Sequence, residues 1–310
     1  MSTEERRGVW LAIGAYAVWG LLPIYWHALH DVPAGTILAN RIAWSAVFVG
    51  LLLTVQRNWS WLRKALHSRR IVITYVIAAI FLTVNWYIYI WSVNAGYLVD
   101  ASLGYFITPL VNVVIGVLVF REHLHRGQWV AVGLAAAGVL YITISYGQLP
   151  WIGLSLAFTF GVYGMVKKQA RLASLEGMAL ETGTIFLPAV AFLIYQDLAG
   201  DGVLGHTDWL TNLLLIGTGV ITVIPLLWFA DAAQRIPLSM MGVIQYISPT
   251  LMFILGIFVF QEPFDLHKLV GFLLIWAALA VYWATSMRGM RKAQPSAQPP
   301  EVPEVQAPSS

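Results

Sequence analysis

Residues 108–122 read TPLVNVVIGVLVFRE, and residues 248–262 read SPTLMFILGIFVFQE. Pro109, Gly116, Val119, Phe120 and Glu122 recur as Pro249, Gly256, Val259, Phe260 and Glu262, each displaced by 140 residues. Thr108 becomes Ser248, and most other positions stay apolar. Two copies of so irregular a segment imply a chain built from two related halves. The surrounding composition decides what kind of chain it is.

Of the 310 residues, 59% are hydrophobic and only 11% are charged, against a usual charged fraction of about 25%. So few charges cannot cover the surface of a soluble domain, which points to an integral membrane protein. There are no cysteines, so disulfides and thiolate metal sites are excluded. The seven histidines form no HExxH or other metal-binding spacing, and no cofactor is expected. No P-loop is present, which argues against ATP-driven transport by this chain alone.

A helix needs roughly 20 mostly apolar residues to cross a hydrocarbon core of about 30 Å. Ten segments qualify as candidates: 8–27, 34–55, 71–93, 101–120, 128–145, 151–167, 176–195, 209–231, 238–260 and 266–286. The expected fold is an all-α membrane protein with ten transmembrane helices. With the N-terminus placed in the cytoplasm, all but two of the eighteen Lys and Arg residues fall between spans on the inside. The exceptions are Lys268, outside, and Arg41, within a span. This asymmetry follows the positive-inside rule and puts both termini in the cytoplasm. It also accounts for the net charge of +3 without a nucleic-acid partner. The first span follows Arg6 and Arg7, but no small-residue cleavage site comes after it, so it reads as a retained helix.

The repeated segment closes spans four and nine. Five spans separate the copies, so the second crosses in the opposite direction, as in the inverted repeats of secondary transporters. The expected organisation is a cytoplasmic N-terminus (1–7), two five-helix repeats (8–145 and 146–286) and a disordered cytoplasmic tail (287–310). Pro109 and Pro249 each remove a backbone donor, freeing the carbonyls of Tyr105 and Gln245. Gly116 and Gly256 permit close helix contact. Glu122 and Glu262 are expected to favour the N-terminus of the helix that follows each.

Two charges lie well inside spans, Arg41 and Glu181, again 140 residues apart. Ionisable groups in spans are costly and are paired or functional by default. Their positions leave roughly 10 Å of depth between the two backbones, which long side chains, a substrate or water could bridge. Arg41 is a candidate to bind an anionic group, and Glu181 to titrate or to bind a cationic one. Asn85 and Tyr89 share a helix face with Trp86 beside them, and a polar face in an apolar span should meet protein or a wet cavity. Tyr105, Gln245 and Tyr246, next to the two prolines, are similar candidates. Trp19, Gly20 and Pro23 in span one join Pro109 and Pro249 as candidate gating positions. Asp231 and Arg235 read as a solvated i,i+4 pair.

NWYIYIWSVNAGYLVDASLGYFITPL (85–110) and IPLSMMGVIQYISPTLMFILGIFVFQEPF (236–264) resemble the paired signatures of RarD proteins, a branch of the EamA-type drug/metabolite transporter superfamily. YAVWGLLPIYW (16–26), NRIAWS (40–45) and ETGTIFLP (181–188) extend the likeness across residues 8–286. The resemblance implies a ten-helix inner-membrane carrier with two inverted halves around a central cavity, and it favours export. Ala131 and Ala278 stand where the broader family often has Gly, Asn40 where RarD relatives often have His, and Thr108 where they often have Asn.

The combined expectation is a permease, not an enzyme. It would move a small polar or amphipathic metabolite or drug by alternating access, with the bilayer as its medium and protons as a candidate coupling partner. A channel or a passive scaffold is the alternative. A membrane-embedded enzyme would need a cluster of catalytic groups, and the spans supply only isolated charges.

Overall fold

The structure, a computed structural model, describes residues 3–120, 126–168, 172–236 and 244–293. The described residues are helical, joined by short turns. In chain order the helices are α1 (Thr3–His27), α2 (Ala34–Val55), α3 (Ser60–His67), α4 (Arg69–Asn94), α5 (Leu98–Phe120) and α6 (Arg126–Tyr146). Then come α7 (Trp151–Lys168), α8 (Ser174–Ala199), α9 (Trp209–Arg235), α10 (Ile247–Ile254) and α11 (Leu266–Ala293). A π-helical turn, Leu255–Val259, extends α10. Seven of these helices are long and apolar enough to cross a membrane; Trp151–Lys167, Ile247–Val259 and Leu266–Tyr282 are shorter apolar helices.

Most helix ends fall within a few residues of the apolar runs. The ninth run departs from expectation. Residues 237–243 lie outside the described residues, and α10 begins only at Ile247. Pro249 therefore stands in the first turn of a helix, where a missing N–H breaks no helical bond. The carbonyl of Gln245 is not freed, since the Ser248 N–H donates to it at 3.2 Å. Pro109 does lie inside α5, and the Thr108 hydroxyl donates to the Gly104 carbonyl at 2.9 Å. Helix α11 runs to Ala293, past the expected end at 286; the expected disorder of 294–310 concerns residues outside those described.

The principal contacts run between the first and second halves of the chain. Helix α1 packs on α9 and α10, α7 packs on α4 and α5, α2 packs on α8 and α9, and α6 packs on α11. Small residues permit the closest approaches. A Cβ on Gly104 of α5 would lie 2.5 Å from the Gly153 carbonyl oxygen of α7. A Cβ on Gly219 of α9 would lie 2.5 Å from the Trp44 carbonyl of α2. In both cases the obstacle is backbone and cannot rotate away. Gly219→Ala is therefore expected to lower the melting temperature in detergent, at a cost of about 1–3 kcal/mol for overpacking. Gly133→Ala, where nothing lies within 4 Å of the added carbon, should melt at or slightly above wild type.

The two glutamates of the repeated segment were expected to serve the helices that follow them. Glu122 lies outside the described residues. Glu262 serves a different helix. The Leu98 N–H donates to its Oε1 at 2.6 Å and the Val99 N–H to its Oε2 at 2.8 Å, so it caps α5. Chain geometry explains the reassignment. Gln261 adopts a positive φ of 52° and turns the chain back after the π-turn. A Cβ on Gly256 would lie 2.7 Å from the Val99 side chain, so this glycine lets the turn seat against the start of α5. A carboxylate on orphan N–H groups at a helix N-terminus satisfies them with charge-assisted bonds.

Candidate functional site

Arg41 lies on α2 and is only 4% exposed. The Gly219–Trp44 approach, one turn away, brings α9 within its reach. Its Nε–H donates to Thr222 Oγ1 at 2.9 Å, and that hydroxyl donates onward to the Thr218 carbonyl at 2.8 Å. The guanidinium carbon stands 3.9 Å from the centre of the Trp86 ring and 5.1 Å from that of Trp26. Its Nη1 is buried without an acceptor, as are the Trp26 indole N–H and the Tyr89 hydroxyl. Among the described residues no carboxylate forms an ion pair with Arg41.

Glu181 lies on α8 and is 5% exposed. Lys167 of α7 donates to its Oε1 at 2.6 Å, and the Tyr163 hydroxyl donates to its Oε2 at 3.3 Å. The Lys167 ammonium also sits 5.1 Å from the centre of the Tyr75 ring. Gly177 makes this fit possible, since a Cβ there would lie 2.8 Å from the Tyr75 ring and 3.1 Å from Lys167 Nζ. Arg41 and Glu181 thus do not pair with each other; each is engaged elsewhere.

Trp86 links the two. It stacks on Arg41, and it also borders a cavity of about 100 Å³ together with Tyr163, Lys167, Glu181, Thr182 and Phe229. The cavity lies between α4, α7, α8 and α9. An ion pair occupies one wall and a tryptophan backed by an arginine another.

The remaining sequence candidates divide. Asn85 is buried and donates to the Leu156 carbonyl at 3.0 Å and to Thr159 Oγ1 at 2.9 Å, so its amide N–H groups tie α4 to α7. Its Oδ1 receives only a long bond from the Tyr105 hydroxyl, at 3.5 Å. Tyr89 and Tyr105 meet edge to face at 5.8 Å, near Arg41 in the same apolar cluster as Trp26. Tyr246 stacks on Phe106 at 6.2 Å in a separate cluster between α5, α6 and α11. It and its neighbour Gln245 are not brought to Arg41.

Among the gating candidates, Trp19 packs on Phe229 at 5.7 Å and so backs one wall of the cavity. A Cβ on Gly20 would lie 2.8 Å from Leu251 Cβ and 3.0 Å from the Ser248 carbonyl oxygen, marking a tight α1–α10 crossing. Pro23 is buried within α1. Asp231 and Arg235 pair at 2.8 Å, and Glu4 and Arg7 join them from α1, making an inter-helix network rather than an isolated pair.

Sequence reasoning missed Trp26, Tyr163, Lys167 and Thr222. Lys167 carried a signal. It stands at the end of an apolar run, 14 residues before the one acid buried in the next helix, and such an acid needs a partner.

Residues 6–144 and again 150–297 match the EamA-like transporter family. The chain belongs to that family. It is 44% identical to protein RarD of Streptomyces exfoliatus, over 94% of this chain and 92% of that protein. It is 41% identical to the uncharacterized transporter YojE of Bacillus subtilis (strain 168), over 93% and 97%. Protein RarD of Escherichia coli (strain K12) is 40% identical over 90% and 94%. These relatives place the chain in the RarD branch of the drug/metabolite transporter superfamily. A solved crystal structure of a protein of 16% identity superposes with a TM-score of 0.59, over 91% of this chain and 98% of that one. At that identity the likeness concerns the fold alone. The chain is a multi-pass membrane transporter of a bacterial inner membrane.

Proposed function

We propose that the chain is a secondary carrier that moves a small polar or amphipathic metabolite bearing an anionic group, by alternating access and with export favoured. The observation that carries the reading is the environment of Arg41. A guanidinium out of contact with water normally has a carboxylate partner. Here it has two indole faces, one hydroxyl and an unused N–H, with unpaired Trp26 and Tyr89 donors nearby. A carboxylate or phosphate from a substrate matches that donor set.

In this reading ten spans form two inverted halves with both termini cytoplasmic. The 140-residue offset carries α1, α2, α4, α5 and α6 onto α7, α8, α9, α10 and α11. Under that exchange the α1–α9 contact maps onto α7–α4, α1–α10 onto α7–α5, and α2–α9 onto α8–α4. The main packing contacts therefore come in exchange-related pairs across the halves, as a rocking pair of repeats requires. The Glu181–Lys167 pair is the candidate site of proton coupling.

Counterflow in proteoliposomes tests the carrier. Vesicles loaded with fractionated cell metabolites should take up trace labelled compound from an anionic fraction, and empty liposomes should not. Conductance without counterflow would establish a channel. Exchange confined to cationic compounds would overturn the role given to Arg41.

A further inference from the structure

A second hollow, of about 480 Å³, lies against α3 and is separate from the cavity beside Glu181. Its floor is the seam between α2 and α8, from Val47, Gly50 and Leu53 to Gly183 and Phe186, and Trp59 and Leu66 border it beside α3. The volume is within the roughly 300–1,000 Å³ of small-molecule sites. Its chemistry is not that of a metabolite site. The Thr182 and Thr184 hydroxyls donate to carbonyls of their own helix at 2.8 and 2.6 Å. The Trp59 indole N–H donates to Thr54 Oγ1 at 3.3 Å and that of Trp61 to the Asn58 carbonyl at 2.8 Å. With these polar groups engaged internally, the walls offer an occupant apolar surface.

The rim is different. Helix α3 reads SWLRKALH and is amphipathic. Trp61 and Ala65 are buried, Leu62 and Leu66 border the hollow, and Arg63 and Lys64 are exposed. Arg63 stands about 60° round the helix from Leu66, at about 100° per residue, next to the hollow-facing edge. Arg57, Arg69 and Arg70 flank the helix and are also exposed. Among the described residues none of these five cations forms an ion pair, whereas Arg7, Lys167, Arg235 and Lys268 do. An apolar trough roofed by an amphipathic helix and fringed with unpaired cations matches one ligand chemistry, an acyl chain carrying an anionic head.

We infer that the α2–α3–α8 hollow is a binding site for an anionic diacyl phospholipid, with an acyl chain along the α2–α8 seam and the phosphate against Arg63 and its neighbours. The backbone leaves room for it. A Cβ on Gly50 or on Gly183 would meet nothing within 4 Å, so the two glycines open the trough without serving a helix contact. Thr182 borders both this hollow and the Glu181 cavity. The bound chain therefore braces the outer side of the helix whose inner side carries Glu181.

The test uses full-length protein in nanodiscs of phosphatidylcholine, to which phosphatidylglycerol is added stepwise, with melting temperature and retained lipid by native mass spectrometry as readouts. Wild type should gain several degrees saturably and retain phosphatidylglycerol. Arg63→Gln/Lys64→Gln should need about thirtyfold more of it, as expected from losing two surface cations near an anionic head group. Gly183→Leu, which fills the trough, should keep the wild-type melting temperature in phosphatidylcholine and lose the saturable gain. Gly50→Leu is the second variant if Gly183→Leu does not fold. The inference is overturned if both lipids act alike, if the filled variants respond as wild type does, or if inorganic phosphate alone reproduces the gain.

Discussion

Arg41→Met protein should melt no lower than wild type and lose counterflow. The two expectations come from the same geometry. Burying a charge costs several kcal/mol even after relaxation, and only a well-placed opposite charge offsets it. Arg41 has two tryptophan faces, worth about 0.5–2 kcal/mol each, and one hydrogen bond to Thr222. Methionine keeps the apolar contact with both rings and removes the desolvated charge, so the folded protein gains about as much as it loses. Thr222 retains its bond to the Thr218 carbonyl and is not left unsatisfied. Substrate binding should suffer far more. Loss of a buried partner to a carboxylate costs about 2–5 kcal/mol, which weakens affinity by about 30-fold to several thousandfold. Arg41→Lys keeps the charge without the planar stack or the fork of donors, and should fall between. A variant that melts lower yet exchanges normally would make Arg41 a brace between α2 and α9.

Helix positions were legible because lipid demands long apolar runs with internally satisfied backbone, and that requirement is local in sequence. The ninth run departs from the same logic within its described part, while its start lies outside the described residues. Its proline falls in the first turn of a helix, and its last turn is π-helical and followed by Gln261 at positive φ, features that have no apolar signature. Arg41 and Glu181 stood out because a charge inside a span is rare. The partner of Arg41 did not. Thr222 lies 181 residues from Arg41 and is one of many threonines in the apolar runs. Glu262 shows the same limit. Its carboxylate was expected at the helix next in sequence, but it caps α5, 164 residues away, because the π-turn folds against that helix.

Lys167→Met should destabilise the protein by about 3–5 kcal/mol, the usual cost of leaving a buried charge without its partner, Glu181→Gln should cost less, and the double variant Glu181→Leu/Lys167→Met should melt near wild type. The pair earns this expectation by its burial. The Glu181 side chain is 5% exposed, so water cannot stand in for Lys167, whereas Lys167 is 28% exposed and water replaces part of what Glu181 gives it. Gln at 181 leaves the ammonium between the Tyr75 and Tyr163 rings without a counter-charge; Met at 167 leaves the carboxylate with only the long Tyr163 bond. The transport readout separates bracing from coupling. If the pair only holds α7 to α8, the double variant regains exchange along with stability, and its pH dependence matches wild type. If Glu181 carries the proton, protonation releases Lys167 and loosens α7 from α8 once per cycle. The stable double variant should then show exchange that no longer responds to pH, or none at all. Counterflow measured from about pH 5 to about pH 8, where folded proteins are usually most stable, decides between them. A double variant with wild-type stability, wild-type rate and an unchanged pH profile would remove proton coupling from this pair.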